Sequence, residues 1–143
     1  MAKLAIIYGT GFGNTRLMAR AIQEGAASEG VEVVLKNITE ASLDDLKDAS
    51  AIALGSPTYK GAGMPTMLKF AEEIGSLDLK DKIGTAFGSY GWSGEAAQQL
   101  IDKMKSYGMK KVLEPGLRIK RIPDEDGIEV CRNLGKVLAQ KIK

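Results

Sequence analysis

Histidine is absent from this 143-residue chain. Its absence removes a common zinc and non-haem-iron ligand and the usual general base near neutral pH. Cysteine occurs once, as Cys131, so no intrachain disulfide and no thiolate metal cluster can form. No apolar run approaches the roughly 18 residues of a membrane span. The start, "MAKLAIIYGT", joins a lysine to a short apolar run but has no small-residue cleavage site, so it does not read as a secretory signal. Neither charge dominates: 20 basic residues face 18 acidic ones, a net +2. That balance argues against nucleic acid as a partner, and the basic stretches "KSYGMKK" and "RIKR" read as solvated faces. What is present is a composition that is 44% hydrophobic, enough for one packed core. The expectation is a single cytoplasmic domain over residues 1–143, without linker, repeat or low-complexity segment.

Strand-like and helix-like segments alternate. Strands are expected at Leu4–Tyr8, Val31–Lys36, Ala51–Ser56 and Ile83–Gly88, with a broken one between Val112 and Ile122. Several are short continuous apolar runs, as expected of strands buried on both faces. Between them lie helical patterns: one carrying the pairs Leu17/Ala21 and Met18/Ile22, a short one over Leu43–Lys47, one from Pro65 to Gly75, and one from Gly94 to Gly108. A last one follows Pro123-Asp124, with a stripe of Ile128, Cys131, Gly135, Leu138 and Ile142. Cys131 reads there as packing, and Gly135 as a close approach to the sheet. Five such units predict an α/β fold, a doubly wound five-stranded parallel sheet of order 2-1-3-4-5. Its site belongs at the loops after strands 1, 3 and 4.

The first of these loops is Gly9-Thr10-Gly11-Phe12-Gly13-Asn14-Thr15. Glycines allow a tight turn that exposes backbone N–H groups at a helix start, and Thr10, Asn14 and Thr15 add side-chain donors. A plain strand-to-helix turn is the simpler alternative, but it needs fewer glycines and threonines. A Walker A loop needs a lysine that is missing, and a G-x-G-x-x-G fingerprint needs glycine where Asn14 stands. A monophosphate loop fits best. The second loop, "LGSPTYKGAGMPTM", carries Tyr59; the third, "FGSYGWSGEA", carries Tyr90 and Trp92, the chain's one tryptophan. Aromatics flanking one crevice suit a flat aromatic ligand stacked between them.

Together the three loops resemble those of the flavodoxin family, and in particular the flavodoxin-like domain of flavodiiron proteins (A-type flavoproteins), across essentially the whole chain. The resemblance implies flavin mononucleotide (FMN) as cofactor. It assigns the phosphate to Thr10, Gly11, Phe12, Gly13, Asn14 and Thr15. Ser56, Pro57, Thr58, Tyr59, Lys60 and Gly61 would line one side of the ring system, and Ser89, Tyr90, Gly91 and Trp92 the other. No catalytic residue and no metal ligand is implied. The implied role is a low-potential one-electron carrier between a donor reductase and an acceptor enzyme, rather than an enzyme with its own substrate. The alternative is a flavoprotein subunit feeding a separate diiron or other metalloprotein.

Two departures stand out. Flavodiiron proteins bind iron with histidine and carboxylates in a further domain, which this chain cannot supply, so their oxygen or nitric oxide reduction is not carried over. Typical flavodoxins are strongly acidic and this chain is slightly basic, so an acidic carrier docking on basic partners is not carried over either. Lys60 stands where many flavodoxins have a glycine next to the flavin. It either points to water or approaches the reduced ring and raises its potential. A phospho-acceptor receiver is set aside, because its acids would stand at Tyr8-Gly9 and Gly55-Ser56. No nicotinamide site is apparent for a flavin reductase.

Overall fold

The computed structural model describes residues 2–143. In chain order the elements are β1 (Lys3–Tyr8), α1 (Asn14–Ala27), β2 (Glu32–Asn37), α2 (Asp44–Lys47), β3 (Ala51–Gly55), β4 (Thr58–Tyr59), β5 (Ala62–Gly63), α3 (Pro65–Glu73), β6 (Ile83–Tyr90), α4 (Glu95–Lys105), β7 (Lys111–Val112), β8 (Leu117–Lys120) and α5 (Glu125–Ile142). β2, β1, β3 and β6 lie side by side in parallel, and β7 and β8 both pair with β6 in parallel. Counting β7 and β8 as one interrupted strand, the order is the expected 2-1-3-4-5. The interruption falls at Glu114-Pro115-Gly116, where Pro115 has no N–H to give to a ladder.

Alternation along the apolar strands builds two cores, one on each face of the sheet. Leu4, Ile6 and Tyr8 of β1 join Ala51, Ala53, Ile83 and Phe87 under α1 and α5. Ala5 and Ile7 join Ile52, Leu54 and Ala86 under α3 and α4, which contribute Met67, Phe70, Leu100 and Met104. This is why the strand runs show no polar face: both sides are covered. In α1 the buried stripe runs through Met18 and Ile22, as expected, but Leu17 lies beside the stripe and is 41% exposed.

Gly135 packs differently from the expectation. A Cβ there would meet the Ile22 carbonyl oxygen at 2.0 Å, and one at Gly25 would meet the Arg132 carbonyl oxygen at 1.9 Å. The two glycines therefore let α1 and α5 approach backbone to backbone. The close contact is helix on helix and not helix on sheet. Cys131 is fully buried on the same stripe, and burial pushes its thiol up to about 12. The expected outcome with a chromogenic disulfide reagent at neutral pH is no reaction in the native protein and one thiol after unfolding. Rapid reaction of the folded chain would show that this helix is not seated as described.

Candidate functional site

The C-terminal ends of β1 and β3 come level at one edge, where Tyr8 pairs with Gly55 and Gly55 with Phe87, and β6 runs three residues further. Gly9 N–H donates to the Gly55 carbonyl at 2.9 Å and Ser56 N–H to the Phe87 carbonyl at 3.0 Å. The loops that follow therefore leave the sheet from fixed points. β1 connects outward to β2 while β3 leads the other way, so the crevice opens at the topological switch.

In the first loop, Gly13 sits at φ 93° before α1, a left-handed conformation that suits glycine. Gly13 N–H donates to Thr10 Oγ1 at 2.9 Å, which curls the loop. The first helical backbone bond runs from Leu17 N–H to the Gly13 carbonyl. The N–H groups of Asn14, Thr15 and Arg16 precede it at the positive end of α1 and have no intrahelical acceptor. Thr15 is fully buried, its hydroxyl 2.9 Å from the Ser89 hydroxyl, which ties the first loop to the end of β6.

The second loop differs from its sequence reading: it contains the β4–β5 hairpin. Lys60 (φ 51°) and Gly61 (φ 80°) are its two central residues, and both are left-handed, as a type I′ turn requires. Ser56 is fully buried; its hydroxyl donates to the Pro57 carbonyl at 2.8 Å and accepts from Met64 N–H at 2.9 Å. Thr58 Oγ1 accepts from Ala96 N–H at 2.9 Å and so satisfies a donor in the first turn of α4. Strand β6 continues two residues past its expected end because Thr58 pairs with Tyr90 on one side, while Ile119 and Lys120 pair with Ser89 and Tyr90 on the other.

The loops enclose one cleft of about 770 Å³. Twelve of the sixteen residues expected at the site line it: Thr10, Gly11, Phe12 and Asn14 from the first loop, Pro57, Thr58, Tyr59 and Lys60 from the second, and Ser89, Tyr90, Gly91 and Trp92 from the third. The other four do not line it. Gly13 and Gly61 make turns, and the Thr15 and Ser56 hydroxyls fasten the loops. Tyr59 folds over the first loop: a Cβ on Gly11 would meet its hydroxyl at 1.9 Å. Phe12 and Trp92 stand almost bare, 92% and 95% exposed. Sequence reading missed Arg121, which also lines the cleft. Its signal was faint, one cation in a short basic run, and its position depends on β8 pairing with β6. Arg121 is left-handed at φ 60°, and its N–H donates to the Tyr90 carbonyl at 2.6 Å.

The sequence model of the Flavodoxin family matches residues 6–135. The chain belongs to the flavodoxin family. Among solved structures, a flavodoxin from the domain Archaea superposes with a TM-score of 0.94 at 40% identity, covering 98% of both chains. The type A flavoprotein of Rhodobacter capsulatus is 36% identical over 144 residues, covering 97% of this chain and 33% of that protein. An uncharacterized protein of Methanocaldococcus jannaschii is 36% identical over 141 residues, covering 96% of this chain and 36% of its own length. This flavodoxin chain thus spans about a third of the length of the curated relatives it matches. The likeness to A-type flavoproteins expected from the three loops holds.

Flavodoxins bind FMN and pass electrons between redox partners, and the donor set here fits that cofactor. Unbonded N–H groups at a helix start suit a phosphate dianion, and no carboxylate lines the cleft to repel it. Exposed aromatic faces supply a flat apolar slot, and space is open beside Gly91, where a Cβ would have no neighbour within 4 Å.

Proposed function

We propose that this flavodoxin carries electrons one at a time, at low potential, on an FMN held in the cleft at the sheet's C-terminal edge, passing them from a donor reductase to an acceptor enzyme of the cytoplasm. The observation that carries the reading is the convergence of three loops on one cleft, with an anion cradle at one end and bare aromatic walls at the other. FMN supplies the redox chemistry when bound; the chain supplies orientation, partial exclusion of water and the surrounding field. Asn14, Thr15 and Arg16 present backbone N–H groups to the phosphate, and Thr10 adds its O–H, for which no acceptor exists among the described residues. Tyr59, Tyr90 and Trp92 flank the ring.

The hydroxyls of Thr15, Ser56 and Thr58 act on the loops instead. They fix the cradle before a cofactor arrives, which lowers the ordering cost of binding. Gly13 and Gly61 act the same way, through turns.

No helix among the described residues is long and apolar enough to cross a membrane. A second reading, a flavoprotein subunit feeding a separate metalloprotein, is favoured by the likeness to proteins about three times as long. One of these is a nitric oxide reductase of Moorella thermoacetica, 32% identical and covered over 36% of its length.

Spectroelectrochemical titration of the FMN-loaded protein tests the carrier reading. Two resolved one-electron steps are expected. Lys60→Met should lower the potential of the second step, because Lys60 lines the cleft and its ammonium favours the more negative ring. A single two-electron wave would contradict one-electron carriage. An unchanged second potential in Lys60→Met would place that ammonium in water.

A further inference from the structure

The described residues contain two non-glycine residues with left-handed φ, Lys60 and Arg121. Both are cations, and both line the cleft. Such conformations cost energy for residues with a Cβ and persist where surrounding structure enforces them. Here pairing enforces them: the hairpin turn holds Lys60, and the Arg121 N–H bond to Tyr90 holds Arg121.

Two more cations stand on β8 beside Tyr90, outside the lining of the cleft. Lys120 is exposed and pairs in register with Tyr90. Arg118 is exposed and reaches to 3.0 Å of the Cβ position of Gly94, which the Tyr90 ring approaches to 3.1 Å. Tyr90 is therefore flanked by Lys60 on the β4 side and by Arg118, Lys120 and Arg121 on the β8 side. None of the four takes part in an ion pair among the described residues.

The acids nearest this group form no ion pair with it among the described residues. Glu95 lies beside the Gly61 turn. Asp124, Glu125 and Asp126 line a separate hollow with Arg132, and the Asp124 side chain accepts from Gly127 N–H.

We infer that the mouth of the cleft is an electropositive docking face, and that the protein exchanging electrons there presents an acidic surface around its own redox centre. The inference rests on the electron-carrier reading above. Unpaired cations around an electron-exit point steer an oppositely charged partner into a productive encounter and repel a basic one.

Cytochrome c serves as a probe in two forms, native (basic) and fully succinylated (acidic). The FMN-loaded, photoreduced protein is mixed with each at low salt and again with added NaCl. The succinylated form should be reduced faster at low salt, by roughly tenfold or more, and its rate should fall as salt rises. The variant Arg118→Gln/Lys120→Gln/Arg121→Gln should lose most of this preference. Lys110→Gln/Lys111→Gln removes cations from the opposite edge, where Lys111 pairs with Ile83 at the start of β6, and should keep the preference.

Faster reduction of native cytochrome c, rates insensitive to salt, or equal loss of preference in both variants would overturn the inference. A protein that takes no FMN would fail the carrier reading instead, and the apoprotein then decides the charge. Emission from its single tryptophan, Trp92, should be quenched by iodide more strongly than by caesium, each scaled to free N-acetyltryptophanamide. The reverse order would contradict an electropositive mouth.

Discussion

Gly135→Ala is expected to destabilise the protein by about 2–3 kcal/mol while leaving its affinity for FMN unchanged. The added methyl would stand 2.0 Å from the Ile22 carbonyl oxygen and 2.8 Å from the Ala26 nitrogen. Neither is the end of a flexible side chain, so α1 and α5 must separate along their whole contact. Alanine recovers about 1 kcal/mol of helix propensity, which offsets only part of the overpacking. For a domain of this size the melting temperature should fall by roughly 5–10 °C. Thermal and urea unfolding, each with an FMN titration at a temperature where the variant is folded, measure the two quantities. A variant as stable as the parent would show that the helices are not in backbone contact.

Trp92→Ala has the opposite signature. The indole is 95% exposed, so its loss removes almost no internal packing and should change the stability of the apoprotein by less than about 0.5 kcal/mol. FMN affinity should fall by roughly tenfold to a hundredfold, because stacking a flat base on an aromatic side chain contributes about 1–3 kcal/mol. A binding titration monitored by flavin fluorescence is suitable, since the variant has no tryptophan of its own. Unchanged affinity would remove Trp92 from the site. The pair separates two kinds of residue: Gly135 shapes the scaffold without touching the cleft, and Trp92 shapes the cleft without supporting the scaffold.

The fold was legible because its strongest signals are local. The segments read as strands at Leu4–Tyr8, Ala51–Ser56 and Ile83–Gly88 carry the short apolar runs of strands covered on both faces. Pro65 and Asp124 mark helix starts, the latter through its acceptance of Gly127 N–H. The lining of the cleft was largely legible too, because the three loops announce themselves by glycines and aromatics.

What was not legible depends on contacts between distant segments. The β4–β5 hairpin is two residues per strand, too short for any periodicity, and it exists because Lys60 and Gly61 turn together. Thr15 and Ser89 are 74 positions apart, so nothing in the sequence ties their hydroxyls to each other. Arg121 enters the cleft only because β8 lies against β6. Gly135 was read as a close approach to the sheet, but what it meets is the backbone of α1, since periodicity shows which face is buried and not what covers it.

The central claim is that the cleft recognises a flavin through its phosphate. Titrating the apoprotein with FMN and, separately, with riboflavin, while following emission from Trp92, tests this most directly. FMN should quench that emission with one-to-one stoichiometry. Riboflavin, which lacks the phosphate, should bind at least roughly a hundredfold more weakly, because each lost hydrogen bond to a charged group removes about 1.5–3 kcal/mol. Equal affinity for the two flavins, or no quenching by either, would contradict the account.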